Sequence, residues 1–174
     1  RRMLSPEGIP GEGSLLGFAS MTPEGLDAQI AEYQRAFSWW RASPVVTVAA
    51  VGGHAVGAGF QLALACDVIV VGDDVAFAMK EPSLGLVPDL GGTLHLGQAV
   101  GYSRALELVA SGRRVGADEA VRIGLALKSV PRADLDAAAR EIAMGCTSAL
   151  PGAISGTKAL LSDAMFPEGF VAAH

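Results

Sequence analysis

The sequence has little of what metal sites, disulfide scaffolds and membrane anchors require. Its 174 residues include two cysteines, Cys66 and Cys146, and three histidines, and none has a paired metal-ligand spacing. We therefore expect no metal site, and we interpret the cysteines as free, buried thiols in a reducing compartment. No apolar run is long enough for a membrane span and no signal-peptide pattern is present, so we expect a cytoplasmic protein without membrane contact.

Basic charge and nucleotide or hydrolase motifs are also missing. The 13 basic residues are outnumbered by 18 acidic ones, giving a net charge of -5, which argues against nucleic-acid binding. Ser83 and Ser103 lack the G-x-S-x-G context of a hydrolase nucleophile. A Rossmann-type nucleotide site fails because Leu62 stands where the third glycine of G-x-G-x-x-G belongs. With 51% hydrophobic residues and 22 glycines, the composition favours one compact α/β domain.

The stretch from Val45 to Leu96 organises the rest of the chain. The run 45–51 is continuously apolar and predicts a strand buried on both faces. A glycine turn follows, then a helix over 57–66 and a second buried strand. Amide N–H groups at the start of a helix lack partners, so this turn suits an oxyanion or a phosphate. A tight turn that binds no ligand fits the same residues.

Two acids follow in Gly/Pro-rich surroundings. Glu81 and Asp89 stand in the segment EPSLGLVPD, among apolar residues that would desolvate them and raise their pKa toward the range useful for proton transfer. The two could divide the acid and base roles. Alternatively, Asp89 is the N-cap of a helix starting near Gly91, and Glu81 pairs with Lys80 or an arginine.

The flanking segments predict helices and one more strand. Thr22 as N-cap and Pro23 start a helix whose apolar stripe we interpret as core packing; the stripe is Leu26, Ile30, Tyr33, Phe37 and Trp40. Later helices are predicted over 91–100, from 103, and over 117–123, 134–144 and 151–161, with a strand within 125–130.

The central segment resembles the crotonase superfamily, the enoyl-CoA hydratase/isomerase enzymes. The similarity lies in the ordered pattern of VAAVGGHAVGAGFQLALACDVIVV and KEPSLGLVPDLGGTLHL and continues to about residue 165. It implies an α/β fold of the crotonase type, a ββα spiral, forming a single domain over 1–174. Residues 1–20 would be a loop, 21–130 the spiral core and 131–174 an incomplete helical part, with the first strands of the sheet absent from this chain.

The resemblance also assigns roles to residues. The backbone N–H of Ala58, between Gly57 and Gly59, falls on an oxyanion-hole donor for a thioester carbonyl. Gln61 falls where hydratases carry their first catalytic glutamate, Glu81 on the second, and Asp89 on an aspartate of dienoyl-CoA isomerases. Substrate contacts are expected from this turn, namely from Gly57, Gly59, Gln61 and His54. Arg1 and Arg2 are expected to face the CoA phosphates.

Because glutamine is neither acid nor base, the resemblance favours an isomerase that shifts a double bond through a thioester enolate. A hydratase and a non-catalytic acyl-CoA binder are the alternatives. The implied partner is an acyl-CoA, with no metal or redox cofactor, and the implied assembly is a homotrimer or a hexamer with contacts in the helices from Ala117 onward. Residues 3–20 would help to select the acyl chain.

Overall fold

The structure is a computed structural model that describes residues 21–165. The chain divides into two compact units, one ending at Ala36 and the other beginning at Phe37. The predicted domain boundaries remain a prediction, because residues 1–20 lie outside the described part. In chain order the elements are α1 (Pro23–Ala42), β1 (Val48–Val51), β2 (His54–Val56), α2 (Ala58–Ala65), β3 (Val68–Gly72), β4 (Ala76–Ala78), a 3₁₀ turn (Glu81–Leu84), α3 (Gly92–Val100), α4 (Tyr102–Ser111), β5 (Val115–Gly116), α5 (Ala117–Arg122), β6 (Lys128–Val130), a 3₁₀ turn (Arg132–Asp134), α6 (Leu135–Cys146) and α7 (Pro151–Met165).

The first helix begins where the sequence predicts. The Gly25 N–H donates to Thr22 Oγ1 at 3.2 Å, so Thr22 caps α1. The predicted apolar stripe lies on the less exposed side of the helix, but none of its residues is buried. Its interpretation as core packing is therefore wrong for the described residues. The adjacent rings of Trp39 and Trp40 stack at 4.1 Å.

The first four strands alternate along the chain between two small sheets. One has the order β1-β3-β6 and the other β2-β4-β5. A strand of the first sheet is followed by a strand of the second and then by a helix, twice: β1, β2, α2 and then β3, β4, α3. The parallel register Val48↔Val68 and His54↔Ala76 stacks the second turn directly on the first. This is the ββα spiral that the resemblance predicts.

The core lies between the two sheets and the helices that follow them. Phe60 of α2 packs on Phe77 of β4 with ring centroids 4.7 Å apart, and both side chains are buried. They belong to a cluster that extends through Leu96 and Leu108 to Leu125. Burial of such side chains is the main stabilising term, at roughly 25 cal/mol per Å² of apolar surface, and it fixes α2 against the second sheet.

Three predictions about this region need correction. The first strand begins at Val48 rather than Val45, which is 60% exposed, and Ala50 in the strand is exposed too. The two faces of β1 are only partly covered, since Val48, Ala49 and Val51 are half-buried. The predicted glycine turn contains a further strand, β2. The cysteines are free as predicted, but both are half-buried rather than buried.

A cavity of about 490 Å³ lies between β3, α3 and α7, lined in part by Arg41, Asp67, His95 and Lys158. Lys158 of α7 donates to Asp67 Oδ2 at 2.7 Å and to the Val45 carbonyl at 2.7 Å. Asp67 Oδ2 also accepts from the Thr47 N–H at 2.7 Å. These polar contacts join α7 to the start of the first sheet.

His95 makes stability depend on pH. Burial first and the Arg41 guanidinium second lower the pKa of His95, a hydrogen bond with Gln98 opposes them, and the pKa falls from 6.5 to about 4. Between these two pH values, His95 is protonated in the unfolded chain and neutral in the folded chain. Stability is therefore complete above pH 6.5 and falls as the pH drops toward 4, by about 3 kcal/mol in all.

We expect His95→Gln to remove most of this dependence. The measurement is the urea midpoint of both proteins at pH 7 and pH 5. Glu107 and Glu119, whose pKa values hydrogen bonds from Arg113 hold low, are present in both proteins, so their contribution cancels in the comparison. An equal loss of stability in the variant would assign the effect to other groups.

Candidate active site

The turn before α2 directs unpaired amide groups outward. Gly57 has φ 58° and ψ -125°, a conformation that favours glycine, and its N–H donates to the Ala78 carbonyl at 2.9 Å. The helix then begins at Ala58 with no side-chain cap. Its first amides, those of Ala58 and Gly59, have no acceptor within the helix, and both residues are exposed. This end of α2 can therefore bind a negatively polarised oxygen.

The carboxylate of Glu81 lies against the same turn. A Cβ atom added to Gly57 would stand 3.3 Å from Glu81 Oε1 and 3.7 Å from Oε2. The side chain is half-buried at the start of a 3₁₀ turn. Its Oε2 is buried and has no hydrogen-bond partner among residues 21–165. The structure thus brings a carboxylate with one uncommitted oxygen to the exposed start of α2.

Gln61 holds that carboxylate from inside the protein. Its side chain is 1% exposed, and its Nε2 donates to Glu81 Oε1 at 2.7 Å. Its Oε1 accepts the N–H of Leu90 at 3.0 Å and that of Gly92 at 3.2 Å. One amide side chain therefore links α2, the carboxylate and the turn before α3.

The turn itself has to be glycine-rich to admit Gln61. A Cβ on Gly92 would lie 2.5 Å from Gln61 Cγ and 2.7 Å from Oε1, closer than real Cβ contacts. The predicted start of α3 near Gly91 is confirmed, but its N-cap is Gly91, with φ 85° and no side-chain cap. The alternative in which Asp89 caps this helix is therefore wrong.

Asp89 and Glu81 differ in their surroundings. The Asp89 side chain is exposed, so its predicted desolvation is wrong. Nearby apolar residues in the sequence do not bury it, because Leu84, Leu86 and Val87 are themselves exposed. The ion pair considered for Glu81 with Lys80 is not formed; Lys80 Nζ donates instead to the Gly112 carbonyl at 2.5 Å.

The remaining predicted site residues fall outside this cluster or outside the described chain. His54 is exposed on β2, and its expected contact with the substrate stays a prediction. Arg1 and Arg2 lie outside the described residues. Within residues 21–165, no three His, Cys, Asp or Glu side chains come close enough to hold a metal ion. In the same part of the chain, no helix combines the length and apolarity needed to cross a membrane.

Sequence reasoning missed the parts of the cluster that come from the backbone. It gave Gln61 no contact with Glu81, and it gave the amides of Leu90 and Gly92 no role. One signal was present: Gln61 and Glu81 are 20 residues apart, the same offset as the strand pair Val48↔Val68. The strands directly before these residues pair at an offset of 22, with His54 opposite Ala76, so the register places Gln61 and Glu81 in neighbouring turns without fixing their contact.

Comparison with known proteins identifies the family. The chain matches the family model described as Enoyl-CoA hydratase/isomerase over residues 19–167. Carnitinyl-CoA dehydratase of Escherichia coli (strain K12) is 45% identical over 111 residues, covering 64% of this chain and 42% of the dehydratase. The chain thus spans less than half of that relative.

Solved structures agree in fold. A Thermobifida fusca YX protein provisionally described as an enoyl-CoA hydratase, in complex with CoA, has a TM-score of 0.84 and 41% identity, covering 98% of this chain and 64% of its own. A monofunctional enoyl CoA isomerase from M. smegmatis has a TM-score of 0.72 and 33% identity, and the match covers 79% of this chain and 65% of the isomerase. These matches confirm the predicted crotonase-type fold, and the chain belongs to the enoyl-CoA hydratase/isomerase family.

Proposed function

We propose that this protein acts on an acyl-CoA thioester and shifts a double bond by proton transfer through a thioester enolate. One observation carries the proposal: Glu81 Oε2 is buried, has no hydrogen-bond partner among residues 21–165, and lies beside Gly57, directly before the exposed start of α2. A base and an oxyanion donor at one place are what abstraction of a proton next to a carbonyl requires.

The steps follow from these two groups. With the thioester oxygen on the Ala58 N–H, Glu81 Oε2 takes a proton from the substrate carbon, the C–H bond breaks and the electron pair moves onto the thioester oxygen. The proton then returns to a carbon farther along the conjugated chain, and the double bond ends one position away. The backbone donor stabilises the charge that develops on oxygen, an effect typically worth about 3–4 kcal/mol.

Asp89 is proposed as the second carboxylate of this transfer. It directly precedes Leu90, whose amide is tied to Gln61, and its side chain is exposed. That position suits a group that delivers or removes a proton at the solvent side of the substrate, while Glu81 acts from the protein side. Two carboxylates in unlike surroundings can divide such roles.

A hydratase or dehydratase is the second candidate, and the name of the Escherichia coli relative favours it. Hydration also passes through an enolate, but a group on the protein must orient and deprotonate water. Gln61 cannot take that proton, and its side chain is 1% exposed and bound to Glu81, Leu90 and Gly92. Retained hydration would therefore require Glu81 or Asp89 to act on the water alone.

The substrate, cofactor and assembly follow as parts of the proposal. Solved family members in complex with CoA and with acetoacetyl-CoA support an acyl-CoA substrate. The proposed proton transfer needs no metal or redox cofactor, because CoA enters with the substrate. The cytoplasmic location stays a prediction. A homotrimer or hexamer is also proposed, supported by apolar side chains such as Met144 and Leu160 exposed on the late helices; light scattering would contradict it by giving the mass of one chain.

The acids are tested with 2-enoyl-, 3-enoyl- and 3,5-dienoyl-CoA as separate substrates. We expect a product of unchanged mass and altered ultraviolet absorbance. Glu81→Gln and Asp89→Asn should each lower turnover by roughly 10²- to 10⁴-fold, while Asp136→Asn, an exposed change on α6, should not. Full activity in both site variants would reject the pairing; a gain of one water would select the hydratase, and binding without turnover would select a non-catalytic role.

The oxyanion donor can be removed without changing the helix. Proline fits the first position of a helix but has no N–H, so Ala58→Pro deletes the donor at the start of α2, and Ala58→Gly keeps it. We expect the proline variant to lose roughly 10²- to 10³-fold in kcat and the glycine variant to stay within a few-fold. Circular dichroism checks that both are folded. Equal rates in the two variants would place the oxyanion elsewhere.

A further inference from the structure

We propose that Gln61 is a positioning residue that commits one oxygen of Glu81, so that of the two Glu81 oxygens only Oε2 exchanges a proton with the substrate. This rests on the proposed function and deepens it. At the position where hydratases carry their first catalytic glutamate, this chain then has an amide that only donates a hydrogen bond to Glu81. Gln61 determines which oxygen of Glu81 reacts, so that the proton passes through a single oxygen of this carboxylate; we call this a one-oxygen transfer.

The orientation of the Gln61 amide is determined by the backbone. Two N–H groups, from Leu90 and Gly92, approach the same side-chain atom at 3.0 and 3.2 Å. Only the carbonyl oxygen of an amide accepts hydrogen bonds, so this atom is Oε1. The NH₂ group must therefore face Glu81, where it stands 2.7 Å from Oε1 of the carboxylate.

An NH₂ group that faces a carboxylate can only donate. Glu81 Oε1 is therefore held in the form that accepts a hydrogen bond, and a proton placed on it would oppose the N–H of Gln61. Oε2 has no such partner among residues 21–165 and is buried. In the transfer, the substrate C–H bond breaks as the O–H bond forms on Oε2. That O–H bond then breaks as the proton is delivered to the second carbon.

The surroundings of Gln61 are built to keep it in place. Its side chain is 1% exposed, so a bond lost here is not replaced by water. The turn donates two backbone amides, and Gly92 leaves room that any larger residue would fill. Since the donor is a neutral amide, Gln61 stays a donor at every pH.

The first test is Gln61→Glu. The introduced carboxyl keeps an acceptor for Leu90 and Gly92 at nearly the same size, but it must share a proton with Glu81 to replace the lost N–H. We expect turnover close to wild type at low pH and a new descending limb in the pH profile of kcat as that proton is lost. Wild-type protein has no such limb, because an amide does not titrate. A variant profile that overlays the wild-type profile would overturn the proposal.

The matched control makes the same change facing another glutamate. Gln29 Nε2 donates to Glu32 Oε2 at 3.3 Å on α1, away from the Gln61 cluster in the sequence. Gln29→Glu should leave the pH profile unchanged. A descending limb in this variant as well would assign the effect to general charge and overturn the proposal.

A second pair of variants either replaces the Gln61 side chain or displaces it from its position. Gln61→Met removes donor and acceptor at similar size, and Gly92→Ala pushes the glutamine side chain. Both should lower kcat roughly tenfold to hundredfold with little change in KM, and both should lower the fraction of deuterium carried from labelled substrate into product. Gly97→Ala, in the same helix with nothing within 4 Å of the added methyl, should change neither. Undiminished deuterium transfer in folded Gln61→Met would contradict the one-oxygen transfer.

A readout without turnover separates this inference from the proposed function. In ¹⁵N-labelled protein, one side-chain NH₂ proton of Gln61 should resonate far downfield and return toward its ordinary position in Glu81→Ala. If no substrate is isomerised and this shift is present, the proposed function fails and the Gln61–Glu81 link stands. If isomerisation occurs and the shift is absent, the positioning role fails and the proposed function stands.

Discussion

The parallel pairing of β1 with β3 is the constraint on which the rest of the structure depends. One turn of the spiral takes 22 residues at the second sheet, where His54 pairs with Ala76, and 20 at the first, where Val48 pairs with Val68 and Val51 with Val71. Glycines recur at that interval: added Cβ atoms on Gly52 and Gly72 would both meet the side chain of Arg132. Only a short helix fits in the remaining length, and α2 has eight residues. The register therefore fixes where α2 begins and what stands beside it.

The site follows from that stacking. Glu81 lies one turn of the spiral beyond Gln61, which lets the two side chains meet at 2.7 Å, and the same closeness brings the carboxylate to Gly57. Each hydrogen bond contributes only about 0.5–1.5 kcal/mol net, but a buried amide left without partners costs about 1–3 kcal/mol. Gln61 is thus more important as the partner that three groups would otherwise lack than as a source of stability.

The sequence predicts local features of this fold better than its non-local ones. The bounds of α2, to within one residue at each end, and the cap at Thr22 depend on a few adjacent residues, and both were predicted. The strand β2 was missed because three residues between glycines are too few to show an alternating pattern. The Gln61–Glu81 contact and the amides of Leu90 and Gly92 depend on the register of separate strands. The exposure of Asp89 depends on which way a loop turns, and apolar neighbours in sequence do not decide that.

Gln61 also bears on which reaction the site can support. A pair of carboxylates at these positions could take one proton from water and give another to carbon, as addition of water requires. With an amide in place of one of them, a single buried carboxylate oxygen is left beside the oxyanion donor, and every proton it accepts must leave from the same atom. A carbon acid that regains its proton at a second carbon satisfies this condition, and so does addition of water when the proton that leaves the water is the one delivered to carbon. The neutral side chain at position 61 therefore excludes a division of proton transfer between carboxylates at positions 61 and 81, whichever of the two reactions takes place.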